Sequence, residues 1–263
     1  MSVTPKCPAC GIDATAEIGQ AGACRLWRCA CGLVFADRAT WSDPYSARDY
    51  YDPANQPAES YPLRFTATER DRISTVRRLV RSGRLLDFGG GTGKTALAAH
   101  AAGFSAIVLE DSHKAVEYGR AHHSEIEWHE GKTIPDSIAD GSLDVVTLFH
   151  VMEHLLDPRA LLAQIHRKLR HGGLLVVEVP NWGSHMRCLR GLRWEFVLDH
   201  HVNHFTSSSL ARLVENAGFA RRATEFRRTF AINEGQPWKE PLKKLLCLLG
   251  FGDILRCSFL KTA

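Results

Sequence analysis

Short hydrophobic runs alternate with helical repeats through most of the chain after residue 83. Residues 145–149 and 174–179 carry apolar side chains on both faces, as the central strands of a parallel sheet do. Helical patterns of ten to fifteen residues separate such runs, which is typical of a parallel sheet covered by helices. The pattern predicts an α/β fold with a doubly wound, mostly parallel sheet of seven strands.

Periodicity, together with the positions of glycine and proline, places the individual elements. Helices are predicted at 61–81, 94–103, 112–123, 158–173 and 208–218, with glycines closing the first and the fourth. Strands are predicted at 84–88, 105–111, 143–151, 174–180, 221–230 and 254–260. An irregular insertion is expected after Pro180.

The length of the chain limits how many domains these elements can form. At 263 residues and 29.3 kDa, the chain holds one medium domain and a small attachment. We expect a zinc-ribbon-like segment at 1–37, a connector at 38–60 and the main domain at 61–263. The connector is rich in Asp, Pro, Ser and Tyr and has no apolar period. Its Tyr50 and Tyr51 either cover a crevice or dock onto the larger domain.

Composition and charge exclude several classes of protein. A hydrophobic content of 44% and a charged content of 24% are average for globular chains and exclude a disordered one. The net charge of +4 tolerates an anionic ligand but does not by itself indicate a nucleic-acid partner. The start lacks the apolar stretch of a signal peptide, and no apolar run reaches 18 residues. We therefore expect a cytoplasmic protein without a membrane span.

Five of the eight cysteines lie in the first 31 residues. Cys7 and Cys10 form one close pair, Cys29 and Cys31 form another, and 18 residues separate the pairs. This spacing is typical of a zinc ribbon, in which four thiolates bind one Zn²⁺ ion tetrahedrally. The second pair has one spacer residue where two are usual, so Cys24 is an alternative ligand. A ribbon that packs without metal is the other alternative.

A glycine-rich loop follows the first predicted strand and contains Gly89, Gly90, Gly91 and Gly93. Ligands of open α/β sheets bind at this end of the strands, where bare backbone and a helix N-terminus come together. A nucleoside-triphosphate loop would need a glycine at position 88, which is Phe. A dinucleotide site would need a third glycine at position 94, which is Lys.

The string LLDFGGGTG at 85–93 resembles the cofactor motif of class I S-adenosylmethionine-dependent methyltransferases. The resemblance extends over nearly the whole chain, through LDVVTLFHVMEHLLDP, PNWGS and HHVNHFTSSSLARLVENAGF. It implies a Rossmann-like fold and an S-adenosylmethionine site in which Glu110 accepts hydrogen bonds from the ribose hydroxyls. The residues expected to bind this cofactor are Asp87, Gly89, Gly91, Gly93, Glu110, Phe149 and His150.

Two positions depart from this family pattern. Gly90 replaces the cysteine or similar residue that is usual in the loop, and Glu130-Gly131-Lys132 is a loose match to the segment that contacts adenine. The cysteine-rich start, the tyrosine-rich connector and the main domain together resemble a bacterial group associated with sugar or glycan biosynthesis. The resemblance implies methyl transfer to a small-molecule acceptor, and a sugar or glycan precursor is the expected class.

Two groups of histidines are candidates for further chemistry. The string HVMEH at 150–154 fits an inverted zinc-protease motif, but that motif needs a helix and this one follows a strand. A divalent metal on Glu153 and His154 is an open alternative. In the insertion, His201 and His204 are the candidate proton acceptors, since imidazole can take a proton as the methyl group is transferred. The alternative is that they only fix the loop.

Two further questions stay open: the role of the aromatic residues in the insertion, and the class of the acceptor or partner. Trp182, Trp194 and Phe196 either wall an acceptor pocket or belong to the core. Two other functions compete with small-molecule methylation: modification of RNA, and a non-catalytic module whose ribbon docks a protein. No face of interleaved basic and aromatic residues is evident, so a nucleic-acid partner is not expected.

Overall fold

The computed structural model describes residues 4–22, 24–37, 65–228 and 240–262 and contains two β-sheets. The connector predicted at 38–60, with Tyr50 and Tyr51, lies outside the described residues. The strands are β1 (Ala16–Ala21), β2 (Cys24–Arg28), β3 (Val34–Ala36), β4 (Gly83–Phe88), β5 (Phe104–Glu110), β6 (Glu127–Glu130), β7 (Leu143–Phe149), β8 (Leu169–Pro180), β9 (Asn203–His204), β10 (Phe219–Arg227) and β11 (Ile254–Lys261). The helices are α1 (Ala67–Arg77), α2 (Lys94–Ala101), α3 (His113–His122), α4 (Pro158–Lys168), α5 (His185–Arg190), α6 (Ser207–Asn216) and α7 (Glu240–Leu248), with 3₁₀ turns at Met152–His154 and Gly191–Arg193.

The larger sheet has seven strands in the order β10-β11-β8-β7-β4-β5-β6. All neighbouring pairs from β8 to β6 are parallel, whereas β11 runs antiparallel to both β8 and β10. The central strands β7 and β8 are buried along most of their length, which explains their nearly continuous hydrophobic runs. The predicted α/β fold with a mostly parallel seven-stranded sheet is confirmed.

Capping residues fix where several of the helices begin. Thr66 caps α1, and its partner Glu69 completes a capping box by accepting a hydrogen bond from the Thr66 amide. Ser112 caps α3, and Asp157 caps α4 directly before Pro158. Helices α2, α3, α4 and α6 each begin within about one residue of the start predicted from the sequence.

The predicted end of the fourth helix is wrong. Helix α4 ends at Lys168 rather than at the glycines at 172–173, because the buried Leu169 pairs with Leu143 and begins strand β8. Pairing resumes at Leu174 after an irregularity in the register, so the two glycines lie within β8.

The smaller sheet combines the N-terminal segment with part of the insertion after β8. Its order is β1-β2-β3-β9, in which Val34 pairs with His204 and Phe35 pairs with Asn203. The side chain of Phe35 is buried in the same hydrophobic cluster as Leu148 of the larger sheet. The two sheets are therefore packed together through a shared core.

Helices α5 and α7 were not predicted, and both belong to segments that carry little core packing. Helix α5 has no buried residue, and Leu245 and Leu248 of α7 are exposed. In the part of the chain that the structure describes, no helix is both long enough and apolar enough to cross a lipid bilayer.

Candidate active site and cysteine cluster

The glycine-rich loop connects β4 to α2 at the carboxyl edge of the larger sheet. The amide of Gly89 donates to the carbonyl of Leu109, 2.7 Å away, so the loop is joined to β5. Gly91 and Gly93 have positive φ angles of 54° and 82°, which side chains other than glycine rarely adopt. A Cβ atom at Gly93 would also lie 2.6 Å from the ring of Trp128.

Glu110 at the end of β5 holds this loop through its carboxylate. Its Oε2 atom accepts a hydrogen bond of 2.8 Å from the Gly91 amide, and its Oε1 atom accepts from the amides of Asp111 and Ser112. Burial raises the pKa of Glu110 to about 7. The structure thus brings two of the sequence-predicted cofactor residues, Glu110 and Gly91, into direct contact.

Asp87 lies beneath the loop and is almost completely buried. The hydroxyl of Thr147 on the neighbouring strand donates to its Oδ1 atom at 2.6 Å, and burial raises the pKa of Asp87 to about 6. A Cβ atom at Gly90 would lie 2.9 Å from the Oδ2 atom of Asp87. This contact gives a physical reason for the glycine at a position where the family usually has a larger residue.

Phe149 and His150 lie at the end of β7, as the strand pattern predicts. The guanidinium of Arg72 lies 4.6 Å from the centre of the Phe149 ring. His150 has a positive φ of 58°, and its ring contacts Glu153 at 3.1 Å and Glu178 at 3.5 Å. Burial disfavours a charged imidazole here, but the two carboxylates outweigh it and raise the pKa of His150 to about 9. His150 is therefore a cation near neutral pH.

Trp128 on β6 is a site residue that the sequence analysis missed. Its ring lies against the backbone of Gly93 and Gly119, and its Nε1–H group donates to the carbonyl of His123. The alternation of buried Ile126 and Trp128 was the available signal. The strand has only four residues, which is too short for a clear period of two.

The two predicted proton acceptors occupy different environments. His201 groups with His154 and His200, whereas His204 lies on β9 with its ring centre 4.7 Å from that of Trp182. Burial lowers the pKa of His201 to about 4 and that of His204 to about 3. The Nε2 atom of His204 is buried and has no hydrogen-bond partner among the described residues.

The protease-like spacing at 150–154 does not form a helix that presents both histidines together. His150 contacts Glu153 and Glu178, while the Nδ1 atom of His154 donates to the carbonyl of His200 at 3.0 Å. The side chain of Asn203 donates to the carbonyls of Met152 and Leu155 and so holds the short 3₁₀ turn between them.

The tryptophans of the insertion form part of the packing beneath the smaller sheet. Trp182 and Trp194 are buried with ring centres 6.5 Å apart, and Phe196 packs against Trp194 at 5.0 Å. Leu26 and Val34 of the N-terminal segment belong to the same hydrophobic cluster. These contacts favour the core interpretation for both tryptophans.

The four cysteines predicted as metal ligands come together at two adjacent turns. The sulfurs of Cys7 and Cys31 are 3.6 Å apart, and those of Cys10 and Cys29 are 3.4 Å apart. With Zn–S bonds of about 2.3 Å, the sulfurs of a tetrahedral zinc site lie about 3.8 Å apart. The donor set therefore fits a tetrahedral zinc ion, and Cys24 on β2 lies outside it.

Backbone hydrogen bonds close both cysteine turns. The amide of Gly11 donates to the carbonyl of Cys7, and the amide of Gly32 donates to that of Cys29. A hydrogen bond from the Cys7 thiol lowers the pKa of Cys31 to about 5, although burial opposes this shift. The shortened Cys29–Cys31 pair is thus accommodated by a tight turn, in which Gly32 has a φ of 90°.

Comparison with known proteins identifies the domain that carries the glycine loop. Residues 59–223 match a family model described as a methyltransferase domain. The chain belongs to the methyltransferase-domain family.

Individual relatives agree with this methyltransferase domain. A protein of Mycolicibacterium smegmatis, named a probable S-adenosylmethionine-dependent methyltransferase, is 30% identical over 43% of the chain. A demethylmenaquinone methyltransferase of Clavibacter sepedonicus is 29% identical over 40%. These alignments span 42% and 45% of the two relatives, so the chain covers less than half of their length.

A solved structure shows the same fold. The crystal structure of an S-adenosylmethionine-dependent methyltransferase from Archaeoglobus fulgidus superposes with a TM-score of 0.56 at 19% identity. It covers 73% of this chain and 92% of the archaeal one. The matched methyltransferase domain at 59–223 contains the glycine loop, Glu110 and the histidines of the insertion, whereas the cysteine cluster lies before it.

Proposed function

We propose that this protein transfers a methyl group from S-adenosylmethionine to a small-molecule acceptor. The observation that carries the proposal is the glycine loop joined to Glu110 at the carboxyl ends of β4 and β5. Ligands of doubly wound sheets bind at this edge. Membership of the methyltransferase-domain family supports the reaction type.

The residues around the loop have distinct roles in the proposed site. Gly89, Gly91 and Gly93 let the backbone approach the cofactor closely, and Glu110 faces the ribose hydroxyls while it orders the loop. Asp87 supports the loop from below. Phe149 and the cationic His150 border the cofactor at the end of β7.

Methyl transfer needs little covalent chemistry from the protein. The acceptor's electron pair forms a bond to the methyl carbon as the carbon–sulfur bond breaks, and the sulfur keeps that bond's electron pair. Holding the two reacting atoms in line at about 3 to 3.5 Å contributes roughly 7 to 11 kcal/mol to lowering the barrier. The acceptor must also lose a proton, and His201 and His204 stay the predicted proton acceptors.

A polar acceptor such as a sugar or glycan precursor suits the acceptor side of the site. Four residues after His150, His154 groups with His200 and His201 of the insertion, and imidazole nitrogens can bond hydroxyl groups. This cluster favours a hydroxyl-bearing acceptor over the quinone type named for the relative from Clavibacter sepedonicus.

We also propose that Cys7, Cys10, Cys29 and Cys31 hold a structural Zn²⁺ ion in a ribbon formed by residues 1–37. The sulfur spacing fits the tetrahedral geometry, and all four ligand positions would be filled by protein. The ion would cross-link a segment whose own core is small. The methyltransferase domain would then comprise 61–263, with 38–60 as the connector.

Isothermal titration with S-adenosylmethionine tests the central proposal. Wild-type protein should bind the cofactor, and Gly91→Arg should lose binding because its side chain enters the loop at a positive φ of 54°. Gly141→Arg is the matched control, since Gly141 has a φ of 68° but no atom within 4 Å of its Cβ position. Failure of the wild-type protein to bind would refute the proposal.

The acceptor can then be sought without assuming its identity. Extracts are incubated with the protein and S-adenosylmethionine, and mass spectrometry identifies molecules that gain one methyl group. Gly91→Arg provides the background. A polar hydroxylated product would support the sugar assignment, whereas methylated RNA with a steep salt dependence of binding would favour the nucleic-acid alternative.

A further inference from the structure

A second group of potential metal ligands lies where the 3₁₀ turn after β7 meets the insertion after β8. His154, His200 and His201 each offer a ring nitrogen, and these three atoms lie within 4.8 Å of one another. We call this group the histidine triad. Its members come from two segments that are about 46 residues apart in sequence and are joined by the bond from His154 to the His200 carbonyl.

Hydrogen bonds orient two of the three imidazoles for metal binding. The Nδ1 atoms of His154 and His201 each contact a backbone carbonyl, at 3.0 Å and 2.8 Å. A carbonyl only accepts, so each Nδ1 atom donates a proton, and Nε2 is the nitrogen through which either ring would bind a metal ion. Metal-binding histidines are commonly fixed in this way, with the second nitrogen donating to a carbonyl or carboxylate.

The three imidazole rings are direct neighbours. His154 and His200 are stacked with centres 5.3 Å apart, and His201 is edge-on to both at 4.8 Å. Nitrogen ligands of a tetrahedral zinc ion are about 3.4 Å apart. The spacing of up to 4.8 Å exceeds this by up to about 1.4 Å. Metal binding therefore requires the half-buried side chains of His154 and His200 to rotate out of their stacked arrangement.

A buried carboxylate beside the triad provides the compensating charge. Glu153 is 1% exposed, and its Oε1 atom bonds His150 while its Oε2 atom has no partner among the described residues. Burial opposes a lower pKa here, but a hydrogen bond and the charge of His150 lower the pKa of Glu153. Because a buried carboxylate oxygen without a hydrogen-bond partner is costly, a cation near Oε2 would stabilise this arrangement.

We propose that the histidine triad binds a divalent transition-metal ion such as Zn²⁺ and leaves one coordination position open. Three protein ligands with an open fourth position are typical of catalytic zinc sites. The side chain of Val151, three residues before His154, packs against Gly89, so the segment that carries His154 contacts the glycine loop.

If the proposed methyl transfer is correct, the open position holds an oxygen of the acceptor and lowers its pKa. His201 then no longer accepts a proton, since one lone pair cannot bind both a metal ion and a proton, and the proton of the acceptor oxygen leaves to solvent water. This consequence rests on the proposed function, whereas metal binding by the triad does not.

Titration of Co²⁺ into the full-length protein separates the two metal sites. Binding at the cysteine cluster produces a thiolate-to-cobalt charge-transfer band, whereas binding at the triad produces visible cobalt absorption without such a band. Wild type should bind one ion of the second kind. His154→Gln and His200→Gln should lose it, and His171→Gln, an exposed surface change, should retain it.

Controls separate metal binding from folding and from the methyltransferase proposal. The triad variants should keep the thermal melting curve of wild type and its affinity for S-adenosylmethionine. Absence of the second cobalt site in wild type, or its persistence in both triad variants, would overturn the inference. If wild-type protein did not bind S-adenosylmethionine, only the proposed function would be refuted. The metal-binding inference would stand, since cobalt binding is measured without S-adenosylmethionine.

Discussion

The glycine-loop edge of the larger sheet and the cysteine cluster of the smaller sheet are built in opposite ways. The loop is ordered by protein groups alone, through the Gly89–Leu109 backbone bond and the Glu110 carboxylate. The cysteine cluster consists of four side chains at two tight turns, next to strands of three to six residues. The glycine loop is thus ordered without a ligand, whereas the cysteine cluster would gain its cohesion from the proposed zinc ion.

Because of this difference, the two regions should be stabilised independently of each other. Parallel strands that are buried on both faces support the cofactor edge, and their hydrogen bonds do not depend on a metal. The N-terminal segment depends on its proposed ion, on strand β9 and on the shared core around Phe35. Substitutions should therefore affect one region without the other, except where a residue joins the two.

The largest effect is expected from Cys29→Ser. Removing one thiolate should release the ribbon's zinc ion, whose binding in small zinc domains is worth roughly 10 kcal/mol or more. Metal analysis should show the loss, and hydrogen exchange should accelerate in β2 and β3 but not in β4 and β5. Cys188→Ser, at an exposed cysteine, should change neither. Uniform acceleration across both sheets would contradict the separation of the two regions.

Asp87→Asn should stabilise the cofactor edge near neutral pH. Burial raises the pKa of Asp87 from 3.8 to about 6, so the folded protein retains a proton that the unfolded chain releases. Stability contributed by this group therefore falls as pH rises from about 4 to 6, by about 3 kcal/mol. Urea unfolding of Asp87→Asn should lack this decrease, and Asp136→Asn, at an exposed position, should keep it.

Asn203→Ala tests the connection between the regions. The Asn203 side chain donates to the carbonyls of Met152 and Leu155, and its backbone pairs with Phe35 of the N-terminal segment. Leaving both carbonyls without this donor should cost about 2 kcal/mol in the free energy of unfolding. Exposed Asn216→Ala is the control in urea titrations. An equally small effect for both variants would show that the connection lies elsewhere.

A smaller effect, with a distinct pH dependence, is expected from His150→Gln. The pKa of His150 is raised to about 9, so its stabilising contribution is complete below pH 6.5 and disappears as pH rises through 9. With about a third of the side chain exposed, solvent screening limits the loss at pH 7 to about 1 kcal/mol. Urea unfolding of wild type and variant should therefore converge above pH 9. A constant difference would indicate packing rather than charge.

The sequence predicted those features that depend on local chain patterns. Buried strands gave continuous apolar runs, the glycine loop followed the first of them, and the spacing of Cys7, Cys10, Cys29 and Cys31 indicated one cluster. These patterns are local because parallel strands, tight turns and close cysteine pairs each involve short stretches of chain. The assignment of cofactor-binding and proton-accepting roles stays a prediction.

Other features depend on contacts between distant segments and left no local pattern. The two residues of β9 form a strand only because β3 is beside them, and His154 meets His200 only through the packing of the insertion. Helix α4 ends before the glycines that were predicted to close it, because Leu169 is buried and pairs with Leu143. Helix α5, with no buried residue, has no apolar period to detect.

The pairing of β3 with β9 also affects how the protein is made. A ribosome releases the cysteine-rich segment first, yet the outer strand that completes its sheet appears only once His204 has been synthesised. Until then, the edge of β3 has unsatisfied backbone groups that could pair with another nascent chain. Early capture of zinc would keep the short segment compact during this interval, so metal supply during translation should influence the yield of correctly assembled protein.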